Sequence, residues 1–197
     1  MTEDTGPRIL YSRPTESIPP PRVQEWIDRS REERLTRLSR TPDELEAVIA
    51  DKTPEQLAER PDDEEWSPVE VICHLRDVDD LSLLRFRMMI QMDEPMVPSS
   101  TAPTDRERWG LLEDGAALFD QVRLVEQRQY ARNDPHLALA AFAQNRRQIL
   151  GFLAALTDAQ WVRGAIHPAF GRVDFDGFTG ILASHDESHI AQLQVEI

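Results

Sequence analysis

His185 and His189 stand four residues apart near the C-terminal end of the sequence, and His74 stands far upstream. Positions i and i+4 are neighbours on one helix face, with Cβ atoms about 6 Å apart, so two imidazoles at that spacing can hold one ion. Both fall on an apolar stripe that runs through Phe178, Leu182 and Leu193. His74 lies three residues after Val71 and four before Val78, on a second stripe that continues through Leu75, Leu81 and Met88. An imidazole on such a face is either a satisfied core side chain or a ligand. Three of them facing a shared interior would make a site for zinc, nickel, copper or iron. Three protein ligands also leave a position open for water or substrate, the pattern of a catalytic centre and not of a closed structural one. The pair departs from the His-Glu-x-x-His of zincin proteases: Asp186 follows the first histidine, and the glutamate comes one place later, at Glu187.

The other reactive side chains have plainer readings. His136 opens a predicted helix beside Pro135 and reads as a surface residue, and His167 reads as a loop residue that could reach the mouth of the site. Cys73, the single cysteine, is either a thiol ligand or a small buried apolar residue, and the second is the commoner fate. Asp77 and Glu187 are the carboxylates nearest the histidines in sequence, either proton acceptors or solvated helix residues. Trp66 and Trp161 begin helices as packing anchors. Met88, Met89, Met92 and Met96 supply adaptable packing or a contact between protomers.

These residues must be positioned by helices. Long helical segments are predicted over roughly 23–50, with a break near Pro42, and over 68–92, 135–156 and 177–196. Short turns are expected at 54–59, in part of 105–129, and at 158–162. Their starts carry a recurrent grammar of N-cap, proline and reach-back acid or amide: Thr41–Glu44, Thr53–Gln56, Ser67–Glu70, Thr104–Glu107 and Thr157–Gln160, with Asn133-Asp134-Pro135 as a related start. Strand signals are confined to a weak alternation at 172–175. Four long helices with short intervening elements point to an all-α four-helix bundle with long connections. Residues 1–22, with Pro14, Pro19, Pro20 and Pro21, read as a tail, and 23–197 as a single domain.

The 197 residues suit one core, and their 36 acidic and 22 basic side chains leave a net charge of −14. Such a chain repels phosphate backbones, which disfavours a nucleic-acid partner. Arg146-Arg147 is the only pair of adjacent cations. No apolar run approaches a membrane span, no secretory signal is legible, and a lone cysteine fits a reducing cytoplasm.

The segment Trp66-Ser67-Pro68-Val69-Glu70-Val71-Ile72-Cys73-His74-Leu75-Arg76-Asp77 resembles the "W-S…E-x-x-x-H-L-x-D" segment of the DinB/YfiT-like superfamily. His185-Asp186-Glu187-Ser188-His189-Ile190-Ala191-Gln192-Leu193 is similar to that family's closing "H-D-x-x-H-x-x-Q-I/L", and His167-Pro168 through Gly171 to its "H-P…G" loop. Leu45 to Arg60 fits the family's first helix and its exit, and the resemblance spans about residues 33–197. It implies a four-helix bundle with a divalent metal held by His74, His185 and His189, zinc or nickel being the expected ions. It also implies a small-molecule substrate and a possible homodimer. The chemistry it implies is either transfer involving a low-molecular-weight thiol such as bacillithiol, mycothiol or glutathione, the reading favoured here, or metal-dependent hydrolysis. A metal-binding or interaction module without turnover is the remaining class.

Overall fold

The computed structural model describes residues 21–62, 65–98, 121–167 and 170–196. The chain begins with a short helix, α1 (Pro21–Asp28), and then α2 (Arg31–Ile49) and α3 (Pro54–Ala58). Next come α4 (Pro68–Gln91), α5 (Gln121–Gln127), a 3-10 turn at Tyr130–Arg132, α6 (Pro135–Ala154) and α7 (Asp158–Trp161). Strands β1 (Gly164–His167) and β2 (Gly171–Asp174) precede the last helix, α8 (Phe175–Glu196). The weak alternation at 172–175 is thus one arm of an antiparallel hairpin, with Gly164 opposite Asp174 and His167 opposite Gly171. Gly171 has φ 70°, a left-handed conformation that glycine adopts without a Cβ clash. Residues 1–20 of the expected tail and the Thr104–Glu107 cap lie outside the described residues.

The long helices α2, α4, α6 and α8 form the bundle. Helix α4 packs chiefly on α6, α6 also on α2, and α2 on α8, with α1 laid along α8. Gly180 admits that last contact, because a Cβ there would meet the Ile27 backbone at 3.0 Å. Helices α4 and α8 touch each other far less, and the histidines face across this gap.

Caps at Thr53, Ser67 and Thr157 form as the sequence predicts: Gln56, Glu70 and Gln160 each reach back to the N-cap backbone N–H at 2.9 Å. Asp134 accepts from the Leu137 N–H at 2.9 Å. The first long segment, however, breaks at Arg29-Ser30 and not at Pro42. Ser30 is a true N-cap, closed by Glu33 in a capping box. Thr41-Pro42-Asp43-Glu44 is not a cap, since Thr41 is buried in mid-helix and Pro42 lies inside α2. Proline removes the N–H that would have bonded the Leu38 carbonyl. That carbonyl instead accepts from Arg146 Nη1 at 2.9 Å, so a guanidinium from α6 replaces the missing backbone donor.

The apolar core falls into two clusters. One gathers Leu38, Phe86, Ile149, Phe178 and Leu182; the other gathers Leu45, Leu75, Phe142, Ile190 and Leu193. Between them each bundle helix contributes one buried polar residue: Thr41 from α2, Asp79 from α4, Arg146 from α6 and Asp186 from α8. Arg146 donates to Asp79 Oδ2 and Oδ1 at 2.9 and 3.0 Å and to Asp186 through Nη1 and, at 3.1 Å, Nη2. Thr41 Oγ1 donates to Asp186 Oδ2 at 2.6 Å. Half of the adjacent cation pair is therefore interior, and only Arg147 is exposed.

Candidate metal centre

His74 sits on α4 two turns after the Ser67 cap, and His185 and His189 occupy successive turns of α8. One nitrogen from each ring lies within 4.8 Å of the others, and the ring centroids are 4.6–5.1 Å apart. His74 Nε2 and His185 Nε2 are 3.0 Å apart. Ligand nitrogens around one tetrahedral ion at about 2.0–2.1 Å stand roughly 3.3 Å apart, so the set needs only small adjustments to close on an ion. No carboxylate among the described residues joins the cluster.

The protonation states suit a ligand set. Burial first, then the His185 and His189 rings, pushes the His74 imidazole down to about 2. Burial first, then His189, pushes His185 down to about 3. His189 is lowered by burial, against an opposing hydrogen bond that it donates to Gln192. All three rings are neutral at pH 7, with lone pairs available to a cation. His189 Nδ1 lies 3.0 Å from Gln192 Oε1, an acceptor, so Nδ1 carries the proton and Nε2 is left to bind. Gln192 is oriented in turn by donating its amide to Glu65 Oε2 at 3.0 Å. His185 Nδ1 is buried without a partner among the described residues, so no hydrogen bond there fixes the tautomer of that ring. The Trp66 ring lies 4.9 Å from His74, so this residue is a wall of the site as well as a packing anchor.

The other expectations from sequence are placed as follows. His136 is exposed. His167 is buried at the end of β1, its ring 4.9 Å from Phe170 and 6.1 Å from Phe178; burial first, then Arg85, pushes it down to about 3. Cys73 is fully buried, and burial pushes its thiol up to about 11, so it packs as an inert core residue. Asp77 is not a solvated helix residue. It is buried and accepts from Arg76 at 2.9 Å, Arg128 at 2.8 Å and the Tyr130 hydroxyl. Glu187 is exposed and accepts the Trp26 indole N–H at 2.9 Å. Sequence reading missed Thr41, Asp79, Arg146 and Asp186 as one layer. The signal was present, since each is a polar residue three or four places from apolar core residues on both sides of its own helix.

Fold and site together define a four-helix bundle with a three-histidine cluster in the gap between its second and last long helices. The sequence profile of the DinB superfamily matches residues 37–193, and the chain belongs to that superfamily. It is similar to YfiT of Bacillus subtilis (strain 168), with 25% identity over 182 residues covering 92% of this chain and 87% of the relative. A solved structure of the Bacillus subtilis YfiT superposes with a TM-score of 0.60 at 24% identity, covering 95% of this chain and 93% of that one. That protein is described as a probable metal-dependent hydrolase with an unusual four-helix bundle topology. Among the described residues, no helix is long and apolar enough to cross a membrane.

Proposed function

We propose that this chain is a metal-dependent enzyme acting on a small molecule, with His74, His185 and His189 as the protein ligands. The observation that carries this reading is the convergence of three neutral imidazoles, one nitrogen each within 4.8 Å, with no carboxylate among them. A bound divalent ion would supply Lewis acidity and lower the pKa of a water or thiol at the open position. Zinc and nickel both suit three imidazoles. The chain's own contribution is to hold the rings: Gln192 fixes the His189 tautomer, and Trp66 closes one side of His74.

Hydrolysis is the first reaction to assign, by likeness to YfiT. Its proton acceptor is neither Asp77 nor Glu187, both of which are engaged elsewhere. Glu65 reaches His189 only through the Gln192 amide and serves to orient that ring. Thiol transfer is the second reading, favoured by that same engagement of Asp77 and Glu187, because a metal-held thiolate needs no carboxylate base. Elemental analysis of purified wild type and His74→Ala, paired with ester and amide hydrolysis assays with and without added thiol, tests both. Stoichiometric metal in wild type that is lost in the variant supports the centre, and equal metal in both removes it. Turnover without thiol assigns hydrolysis; turnover only with thiol assigns transfer.

A further inference from the structure

Three arginines are buried among the described residues, and they differ in how their charge is met. Arg34 pairs with Asp176, and Arg146 with Asp79 and Asp186. Arg85, only 8% exposed, meets no carboxylate among the described residues. Its Nε and Nη2 donate to the Pro98 carbonyl at 2.8 and 2.6 Å, and Nη1 has no partner among them. Leaving a buried cation without a counter-charge is costly, and more surprising in a chain with a net charge of −14.

Its position suggests why the cost is tolerated. Arg85 lies eleven residues after His74 on α4, about three turns along the same face, and Phe178 lies seven before His185 on α8, about two turns along its face. The Arg85 guanidinium carbon is 6.0 Å from the Phe178 ring centroid, and the His167 ring is 6.1 Å from the same centroid. The Phe170 ring centroid is 4.9 Å from that of His167. Arg85 on α4 and Phe178 on α8 thus face each other across the same gap that holds the three histidines, near enough for the Arg85 charge to act on His185, with His167 of the hairpin beside Phe178. Burial lowers the Arg85 guanidinium to about 10, which leaves it fully charged at pH 7.

Resting on the metal-centre reading, we propose that Arg85 is the anion-binding residue of this site. The substrate then carries one carboxylate on an apolar body that lies against Phe170 and Phe178. Benzoate and its uncharged isostere benzamide are the probes, titrated calorimetrically at pH 7 into metal-free and metal-loaded full-length protein. Metal-free wild type is expected to bind benzoate roughly tenfold more tightly than benzamide, the scale of one charge-assisted hydrogen bond. Arg85→Met removes that preference, Arg85→Lys retains some of it, and both variants keep wild-type metal content. Benzoate binding no tighter than benzamide in wild type, or unchanged by Arg85→Met, or confined to the metal-loaded protein, overturns the proposal. The wild-type comparison needs no variant and stands even if Arg85→Met does not fold. Absence of metal from wild type would instead sink the metal centre, while the metal-free titration still decides the anion site.

Discussion

A buried imidazole that stays neutral is a store of acid sensitivity. His74 and His185 titrate at about 2 and about 3 in the folded chain against an ordinary value of 6.5. The unfolded chain therefore binds more protons between those limits, so stability is full above about pH 6.5 and is lost as pH falls toward 3. Urea unfolding of the metal-free protein at a series of pH values is expected to show this slope, and His74→Gln should flatten it. An equally steep variant would mean that His74 is not buried neutral. Gln192 makes a separate prediction at the same scale. With its amide replaced in Gln192→Leu, His189 loses the acceptor that fixes its tautomer, and metal affinity should fall about 10–100-fold with little change in melting temperature. Competition with a chelator measures the first and thermal unfolding the second. The three histidines were legible because their spacing matches the helix period. The role of Glu65 was not, because its link to Gln192 crosses from the segment before α4 to α8, a contact that no local period encodes.

Helix α2 shows where local grammar misleads. Thr-Pro-Asp-Glu at 41–44 has every mark of a helix start, and Ser30-x-x-Glu33, without a proline, has fewer. The chain uses the second and runs helical through the first, because Arg146 supplies the Leu38 carbonyl with a donor and Asp186 takes the Thr41 hydroxyl. Tertiary contacts thus outweigh a capping signal worth about 1 kcal/mol. The other four helix starts at Thr53, Ser67, Asp134 and Thr157 follow their local signals, since nothing across the bundle competes for those side chains. A mid-helix proline ordinarily costs about 3 kcal/mol, part of it the lost hydrogen bond. With that bond replaced, Pro42→Ala should change stability by less than about 1 kcal/mol in urea unfolding, since the unfolded chain also regains freedom. A gain near the full penalty would show that the guanidinium does not stand in for the backbone donor.

Across the whole molecule, Thr41, Asp79, Arg146 and Asp186 join all four bundle helices at one level, between the two apolar clusters. That level adjoins the metal ligands, because Asp186 directly follows His185. An apolar interface lets helices slide by a turn with little change in area, whereas two forked arginine–carboxylate pairs fix one register. The layer therefore sets which turn of α8 faces His74. Arg146→Met removes the cation and leaves Asp79 and Asp186, both fully buried, facing one another without a counter-charge. Breaking a buried pair in this way costs about 3–5 kcal/mol. Burial already raises the Asp79 carboxyl to about 6, and the variant removes the Arg146 charge that opposed that rise, so the folded variant takes up a proton that the unfolded chain does not hold at neutral pH. Its deficit relative to wild type should therefore shrink as pH is lowered from 7 to 5, the histidine contribution being common to both proteins. Adding Asp79→Asn to Arg146→Met should recover part of the loss at pH 7 and little at pH 5. Urea unfolding of wild type, the single variant and the double variant at both pH values measures each difference. A deficit below about 1 kcal/mol at pH 7 would mean that apolar packing alone holds the register, and that the histidines meet without help from this layer.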